Sequence, residues 1–274
     1  MIYAEVIGDP IAQSKSPLIH RHWLAGLGLE GDYRHAHVIA EALPAFLATR
    51  RADADWRGCN VTMPHKEAVI PLLDALDPLA ARAGAVNCIV READGRLTGH
   101  NTDVDGVAAP LRAAGAGRAA GVVIGAGGAA RGAIIGMEAA GIAPIAVYNR
   151  TVDKAHALAE MAGGSEALPL SALAPGAGRQ VILNASSMGM LGHPPVPIDL
   201  AAFPAETIVF DMVYSPLETP LLAEARRLGL RTIDGLAMLI GQAARAFTLF
   251  FGAEPLRVDG DAALRALLTG EPVT

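Results

Sequence analysis

The feature that most constrains the fold is a glycine-rich segment in the middle of the chain, GAGGAA at residues 125–130. It follows an apolar strand-like run, residues 121–124, and it opens a helix-like stretch that extends to Gly141. A second apolar run, residues 145–148, completes a predicted strand–helix–strand unit. In this context the segment matches the G-x-G-x-x-A pattern, whose glycines let the backbone turn tightly and approach a pyrophosphate. The alternative is a tight strand-to-helix corner in another α/β fold.

The end of the second predicted strand bears on which dinucleotide would bind. An NAD site usually places a carboxylate there for the ribose 2′-hydroxyl, and a carboxylate would repel a 2′-phosphate. This chain instead has Asn149, Arg150 and Thr151, followed by Lys154. A guanidinium, a hydroxyl and an ammonium favour NADP over NAD. The alternative is a solvated helix start that Thr151 caps and at which Arg150 points outward.

The first hundred residues alternate between strand-like and helix-like segments, which favours a mostly parallel α/β sheet. Ser16 and Pro17 are a suitable N-cap and first residue for one helix. A longer helix is predicted from about residue 65 to residue 83, with Pro71 as a candidate interruption. Residues 86–90 and 96–99 form a predicted hairpin around an Asp-Gly turn. The remaining predictions are strands at 3–7, 33–39 and 58–62 and a helix at 43–50.

A shift to alanine and glycine near Val107 marks a predicted domain boundary, and 274 residues suffice for two domains. Strands at 181–184 and 208–211 continue the second domain. The apolar residues of a helix at 236–251 recur at i, i+3, i+4 and i+7, and we expect this helix to return to the first domain. The predicted domains are 1–106, completed by 236–274, and a Rossmann-type domain at 107–235.

Charge and hydropathy exclude several classes of partner. The net charge is −6 with interspersed signs, so we expect no nucleic-acid and no anionic-membrane partner. The mean hydropathy is high, +0.34, but the longest uncharged apolar stretch, residues 119–130, is shorter than the roughly 20 residues of a spanning helix. The first residues also lack the basic start and apolar run of a secretory signal.

Cysteine and histidine usage predicts no metal site. Cys59 and Cys88 have no C-x-x-C spacing, which fits a reducing compartment, and we expect a cytoplasmic protein. His35 and His37 would share one strand face, but no carboxylate or cysteine lies at a supporting spacing. We therefore expect no metal site in this protein.

Two polar motifs near the N-terminus are candidate ligand sites. Ser14 and Ser16 place two hydroxyls at a helix N-terminus, where hydroxyls and backbone N–H groups suit a carboxylate. An ordinary helix cap is the alternative. Asn60, Thr62 and Lys66 follow a strand end, the place where open α/β sheets bind ligands. Lys66 could equally be a solvated residue at a helix start.

Further short polar groups occur where the sequence is otherwise apolar. Asn87 begins an apolar strand, and Asn101, Thr102 and Asp103 follow the next one. A single buried asparagine in a strand is usually a hydrogen-bonded structural residue. Several converging polar groups instead indicate a ligand-binding cleft.

Taken together, these segments resemble the shikimate dehydrogenase family, and the match extends over nearly the whole chain. That family reduces 3-dehydroshikimate to shikimate with NADPH, using a split substrate domain and one Rossmann domain. The resemblance therefore implies an N-terminal α/β substrate domain, an NADP-binding domain and a C-terminal helix that returns to the first domain. The motifs that carry it are SKSP (14–17), NVTMPHK (60–66), GAVN (84–87), NTD (101–103), GAGGAAR (125–131), NRT (149–151), NASSMGM (184–190), DMVYSP with ETPLL (211–222) and GLAMLIGQAARAF (235–247).

The resemblance also implies roles for individual residues. Ser14 and Ser16 would hold the substrate carboxylate, Tyr214 would lie near the substrate, and Lys66 would be the acid/base residue, paired with Asp103. Residues that would bind the ring hydroxyls are Thr62, Asn87, Asp103 and Gln242. Residues that would bind NADP are Gly125, Ala126, Gly127, Gly128 and Ala129 at the pyrophosphate, Asn149, Arg150, Thr151 and Lys154 at the 2′-phosphate, and Met212 and Gly235 near the nicotinamide.

The predicted partners are the small molecules shikimate and 3-dehydroshikimate, and we expect a monomer or a homodimer. Two alternatives stay open at this point. The chain could act on quinate or an amino analogue of shikimate, since one ring substituent separates these substrates. It could also be a non-catalytic NADP-binding regulator on the same fold, although the presence of both Lys66 and Asp103 speaks against that.

Overall fold

The computed structural model describes residues 1–161, 163, 166–257 and 261–270. The chain divides into two compact units. Unit 1 comprises Met1–Thr102 and Ala243–Thr274, and unit 2 comprises Asp103–Gln242. The functional division of the chain into a substrate domain and an NADP-binding domain stays a prediction.

Unit 1 contains a six-stranded mixed sheet in the order β2-β1-β3-β5-β6-β4. Strand β1 pairs in parallel with both β2 and β3, while β3, β5 and β6 pair antiparallel. The pairing of β5 with β6 confirms the predicted hairpin. The strands are β1 (Tyr3–Gly8), β2 (Asp32–His37), β3 (Trp56–Val61), β4 (Ala75–Leu76), β5 (Cys88–Arg91) and β6 (Leu97–His100).

The helix predicted at 65–83 is wrong over most of its length. Residues 63–69 form turns, residues 70–72 a single 3₁₀ turn, and residues 75–76 the short strand β4. Pro71 and Pro78 lack an amide hydrogen and disfavour helical backbone in the residue before each of them. A helix starts only after Asp77, whose carboxylate accepts from the Ala80 N–H at 2.6 Å. The helices of unit 1 are α1 (Ser16–Leu27), α2 (Leu43–Arg51), α3 (Pro78–Ala83) and α9 (Ala262–Thr269).

The C-terminal helix α8 (Gly235–Phe251) supplies part of the core of unit 1. From Ala243 onward it belongs to this unit, and its buried residues Ala246 and Phe250 pack with Ala4, Val6 and Tyr33. Burial of these apolar side chains is the main source of stability for such a contact. The prediction that this helix returns to the first domain is confirmed.

Unit 2 contains a six-stranded, all-parallel sheet in the order β12-β11-β10-β7-β8-β9. Counted from its first strand, this order is 6-5-4-1-2-3, the topology of Rossmann dinucleotide-binding domains. The predicted fold class is confirmed. The strands are β7 (Ala120–Ile124), β8 (Ile145–Asn149), β9 (Glu166–Pro169), β10 (Gln180–Asn184), β11 (Ile208–Asp211) and β12 (Arg231–Ile233).

Helices cover the sheet of unit 2 and pack closely on one another. A Cβ atom added at Gly136 would lie 2.9 Å from the Val104 carbonyl oxygen and 2.8 Å from the Val107 Cβ, so this glycine allows α5 to touch α4. No helix in the described part of the chain is both long and apolar enough to cross a membrane. The helices are α4 (Asp103–Ala113), α5 (Gly128–Ala139), α6 (Val152–Met161), α7 (Pro220–Arg227) and the first half of α8.

Candidate active site

The glycine-rich loop connects β7 to α5. It stands at the carboxyl end of β7, beside β10, where the strand order of unit 2 reverses and α/β sheets bind their ligands. Gly125 has a φ of +109°, a conformation that favours glycine. Gly127 precedes α5, no side chain caps this helix, and a Cβ atom added at Gly127 would meet nothing within 4 Å. The first N–H groups of α5 and the open side of Gly127 therefore fit the phosphates of a dinucleotide.

The turn at the end of β8 carries the residues predicted to bind a 2′-phosphate. The Asn149 side chain donates to the Thr151 carbonyl oxygen at 2.9 Å and so fixes the turn. Arg150, Thr151 and Lys154 are exposed, and neither cation forms an ion pair with a described residue. Asp153 adds one negative charge nearby, which leaves a net positive turn. The arrangement can receive an anion beside the glycine-rich loop, because β8 is the neighbour of β7.

Met212 and Gly235 lie together in unit 2. A Cβ atom added at Gly235 would be 2.8 Å from the Met212 carbonyl oxygen and would clash with the Val213 carbonyl group. Only glycine allows this approach of α8 to the segment after β11. Tyr214 follows on the same segment and is half-buried, and burial raises the pKa of its phenol. Its hydroxyl therefore stays protonated at neutral pH and can donate a hydrogen bond.

The two N-terminal serines converge. The Ser14 hydroxyl donates to the Ser16 hydroxyl oxygen at 3.2 Å, just at the start of α1. The predicted N-cap is wrong, since Lys15 occupies that position without capping through its side chain and Ser16 is the first helical residue. Bonds to other elements of unit 1 fix the segment at Ser14 and Lys15. His35 Nε2 in β2 donates to the Ser14 carbonyl oxygen at 2.9 Å, and the Lys15 ammonium donates to the Leu268 carbonyl oxygen in α9.

Backbone bonds bring Thr62, Lys66 and Asn87 to the same end of the unit 1 sheet. Thr62 follows β3, and its N–H donates to the Ile7 carbonyl oxygen at 3.0 Å. The Lys66 carbonyl oxygen accepts from the N–H of Val86, the residue before Asn87, at 2.8 Å. The signals that pointed to these residues, polar groups just past strand ends, thus correspond to one cluster in unit 1.

Asn87 is buried and hydrogen-bonded through both ends of its amide. Its Oδ1 accepts from the Thr102 N–H at 2.7 Å, and its Nδ2 donates to the Thr102 hydroxyl at 3.0 Å. Asn60 donates to the Asn87 carbonyl oxygen at 3.2 Å and accepts from the Tyr33 hydroxyl at 2.6 Å. Asp103 follows Thr102 directly, so this network fixes the backbone from which the Asp103 carboxylate projects.

Asp103 and Gln242 lie on two helices of unit 2 that touch. Asp103 is the first residue of α4, and one turn later a Cβ atom added at Gly106 would be 3.0 Å from the Gln242 Cβ. The Gln242 side chain is buried, and its Nε2 donates to the Leu239 carbonyl oxygen at 2.9 Å. Lys66 belongs to unit 1 and Asp103 to unit 2, and their pairing stays a prediction.

The two histidines considered as metal ligands have other partners. His35 bonds to the Ser14 carbonyl group, and His37 Nε2 lies 2.7 Å from an Asp9 carboxylate oxygen. Across the residues that the structure describes, no group of three or more histidine, cysteine, aspartate or glutamate side chains could hold a metal ion.

Sequence reasoning assigned no individual role to a buried polar cluster at the ends of β10 and β11. Asn184 and Asp211 are the last residues of these strands, and the Asn184 side chain donates to the Asp211 carboxylate at 2.9 Å. Burial raises the pKa of Asp211, against the effect of its hydrogen-bond donors. The signal that could have found them is their position, since each ends an apolar strand on the ligand-binding edge of the sheet.

Three family models match successive parts of this chain. The shikimate dehydrogenase substrate-binding domain matches residues 6–89, the shikimate/quinate 5-dehydrogenase model matches 112–188, and the shikimate 5′-dehydrogenase C-terminal domain matches 235–265. The chain is also 52% identical over 267 residues to a shikimate dehydrogenase (NADP(+)) of Sphingopyxis alaskensis, covering 97% of this chain and 96% of that one.

Solved structures agree with these matches. A shikimate 5-dehydrogenase from Thermus thermophilus, solved with NADP(H) and shikimate, superposes with a TM-score of 0.84 at 38% identity, covering 97% of this chain and 99% of that one. A quinate dehydrogenase from Corynebacterium glutamicum, solved with NAD, gives a TM-score of 0.82 at 32% identity, with coverage of 98% and 99%. The matches span both units, and this chain belongs to the shikimate dehydrogenase family.

Proposed function

We propose that this protein is an NADP-dependent shikimate dehydrogenase, which reversibly reduces 3-dehydroshikimate to shikimate in the chorismate pathway of aromatic amino-acid biosynthesis. The observation that carries the proposal is the ligand-binding edge of the unit 2 sheet. There a helix N-terminus without a side-chain cap, after a glycine-rich loop, stands next to a turn with two exposed cations, Arg150 and Lys154, that form no ion pair with a described residue. The identity of the substrate is supported by the names of the relatives.

In the cofactor site, the glycine-rich loop and the turn after β8 bind different phosphate groups of NADP. Residues 125–129 offer backbone N–H groups to the pyrophosphate, and residues 149–151 with Lys154 offer charge and hydrogen bonds to the 2′-phosphate. Met212 and Gly235 line the nicotinamide end. When bound, the reduced cofactor supplies the hydride for the ring ketone.

In the substrate site, unit 1 holds the carboxylate and much of the ring. The converging hydroxyls of Ser14 and Ser16, at the positive end of α1, suit a carboxylate. Thr62, Asn87, Asp103 and Gln242 offer short polar groups to the ring hydroxyls, and the protonated phenol of Tyr214 adds a donor. These groups orient the ring, so that its ketone is presented in one direction.

Lys66 is the proposed proton donor, and Asp103 its partner. A lysine is protonated at neutral pH, and a neighbouring carboxylate favours that charged form. The ammonium donates a hydrogen bond to the ketone oxygen and transfers its proton as negative charge develops there. In the direction of shikimate oxidation, Lys66 accepts the hydroxyl proton.

The experiment that tests the proposal follows the absorbance of the reduced cofactor during oxidation of shikimate, quinate and aminoshikimate, each with NADP and with NAD. Turnover is expected with shikimate and NADP at a kcat/KM well above the other five combinations. A preference for quinate with NAD would instead assign the activity of the Corynebacterium glutamicum neighbour. Tight NADP binding without turnover of any of these substrates would identify a regulator, and turnover confined to an amino analogue an aminoshikimate dehydrogenase.

We also propose a cytoplasmic location and a monomeric or homodimeric state. Both cysteines, Cys59 and Cys88, are buried as free thiols, which fits a reducing compartment. Size-exclusion chromatography with light scattering distinguishes a monomer from a homodimer.

A further inference from the structure

A buried carboxylate, Asp211, joins three separate segments of unit 2. It ends β11 and is 0% exposed. Its Oδ1 accepts from Asn184 Nδ2 at 2.9 Å and from the Val213 N–H at 3.0 Å, and its Oδ2 accepts from the Thr219 hydroxyl at 2.7 Å. A buried charge is tolerated only with such partners, so the three bonds hold these segments in one arrangement.

Asn184 extends the network into the loop after β10, residues 185–189. Its Oδ1 accepts from the Ser186 N–H at 3.1 Å and from the Ser186 hydroxyl at 2.6 Å, while its Nδ2 also donates to the Met188 carbonyl oxygen at 2.9 Å. The Ser186 hydroxyl oxygen in turn accepts from the Met188 N–H at 3.1 Å. The loop is thus folded onto the side chain that Asp211 holds.

The two segments that Asp211 fixes lie against the two halves of the candidate dinucleotide site. A Cβ atom added at Gly125 would be 3.0 Å from both the backbone nitrogen and the Cβ of Ser186, so the 185–189 loop supports the glycine-rich loop. On the other side, the Met212 and Val213 carbonyl groups pack on Gly235 at the start of α8. The 2′-phosphate turn after β8 is fixed separately, by the bond from Asn149 to the Thr151 carbonyl oxygen.

We propose that Asp211 is a positioning residue for the dinucleotide, which fixes the pyrophosphate loop through Asn184 and the nicotinamide end through Val213, with Thr219 holding its second oxygen. This inference rests on the proposed NADP-dependent function. The network reaches the segments proposed to bind the pyrophosphate and the nicotinamide, whereas the adenosine 2′-phosphate is bound by the turn after β8. A change at Asp211 should therefore affect binding of the first two groups and not of the third.

The test measures binding of NADPH and of adenosine 2′,5′-bisphosphate by titration calorimetry in the absence of substrate. Asp211→Ala is expected to weaken NADPH binding at least about tenfold, the scale of one lost charge-assisted bond, and to change the Kd of the bisphosphate less than about twofold. Asp211→Asn should stay within about threefold of the parent, because its amide can still accept from Asn184 and Val213 and donate to the Thr219 hydroxyl. Equal weakening of both ligands in Asp211→Ala, or no weakening of NADPH, overturns the proposal.

A pair of buried threonines tests the bond to Asp211. Thr219 and Thr207 are both 0% exposed, but only the Thr219 hydroxyl bonds to Asp211, and it also caps α7 by accepting from the Leu222 N–H at 3.3 Å. The Thr207 hydroxyl has no hydrogen-bond partner among the described residues. Thr219→Val should raise the Kd for NADPH several-fold. Thr219→Ser should restore the Kd of the parent chain, and Thr207→Val should leave it unchanged. If Asp211→Ala does not fold, this pair decides, and weakening that Thr219→Ser does not restore overturns the proposal.

The binding readout also separates this inference from the proposed function. A parent chain that binds NADPH but turns over no shikimate refutes the function and leaves the positioning role to be decided by the variants. A parent chain that binds no NADPH overturns both.

Discussion

The candidate substrate residues of unit 1 and the candidate 2′-phosphate residues of unit 2 differ in how they are held. Asn87 is buried, and both ends of its amide are already bonded to Thr102. Arg150 and Lys154 are exposed, without an ion pair to any described residue. The first arrangement is rigid before a ligand arrives and selects by geometry. The second carries exposed positive charge that can attract an anion, and salt screens that attraction.

The largest expected effect concerns a lysine whose role would be chemical. Lys66→Ala should lower kcat by about 10²–10⁴-fold, the usual contribution of a positioned proton donor, and leave the Kd for NADP within about twofold. Lys154→Ala is the matched lysine variant and should raise the KM for NADPH without that loss of kcat. Steady-state kinetics and calorimetry of both variants check this. A loss of NADP affinity in Lys66→Ala equal to its loss of kcat would falsify the assignment.

The next effect tests the exposed cations. Arg150→Asp should raise the KM for NADPH about 10–100-fold, because a guanidinium–phosphate bond becomes a repulsion, and should change the KM for NADH less than about twofold. Arg226→Asp alters the net charge equally at an exposed position in the last turn of α7 and should change neither constant. Added salt should weaken NADPH binding to the parent chain more than to Arg150→Asp. An unchanged KM ratio between the two cofactors removes Arg150 from the site.

A smaller effect tests the pre-bonded network of unit 1. Asn87→Ala leaves the Thr102 N–H and hydroxyl without their partner in a buried place, which should lower the free energy of unfolding by about 3 kcal/mol and raise the KM for shikimate. Asn149→Ala, in the more open turn after β8, should lower it by less than about 1 kcal/mol. Urea unfolding of both variants measures the difference. Similar losses in the two variants would contradict the contrast between the units.

The smallest effect concerns acid. His20 is fully buried in unit 1 among aromatic rings, neither ring nitrogen has a hydrogen-bond partner among the described residues, and burial lowers its pKa to about 3. The unfolded chain takes up a proton below about pH 6.5 while the folded chain does not, so stability falls as the pH drops from that value towards 3. At pH 5 the loss should be about 2 kcal/mol.

His20→Phe keeps an aromatic ring in the cluster and should abolish this part of the acid dependence, measured as Tm or urea midpoint between pH 7 and pH 5. A buried carboxyl group of unit 2, Asp211, acts in the opposite direction. Burial raises the pKa of Asp211, so the folded chain retains that proton over a range in which the unfolded chain has lost it, and acidification stabilises unit 2. If stability falls as steeply between pH 7 and pH 5 in His20→Phe as in the parent chain, the role assigned to His20 is wrong.

The parts of the fold that were predictable are those in which local patterns and topology agree. The run from residue 121 to residue 148 combines two apolar strands, a glycine-rich turn and a helix, and each matches the structure. Gly125 was predictable because a tight turn needs its positive φ. Because propensity, turn chemistry and topology agree here, the position of the glycine-rich loop at the carboxyl end of β7 could be predicted from the sequence.

Other features depend on burial and long-range contacts, which a sequence does not display. The spacing at 65–83 favoured a helix, but Pro71 and Pro78 interrupt the backbone bonds and β4 joins the sheet beside β6 instead. Similarly, Asp211 reads as one more polar residue at a strand end. Its three donors come from residues up to 27 positions away in the chain, so its role became visible only in the folded structure.

The division of the chain into two units has a consequence for its folding during synthesis on the ribosome. Unit 2 is one continuous stretch and can complete its sheet as soon as it has emerged, whereas unit 1 needs the second half of α8 to cover Ala4, Val6 and Tyr33. During synthesis that apolar surface must wait, uncovered, until Ala246 and Phe250 leave the exit tunnel. A nascent chain stalled before that point would expose this apolar surface to chaperones, and the second half of α8 would complete the core of unit 1.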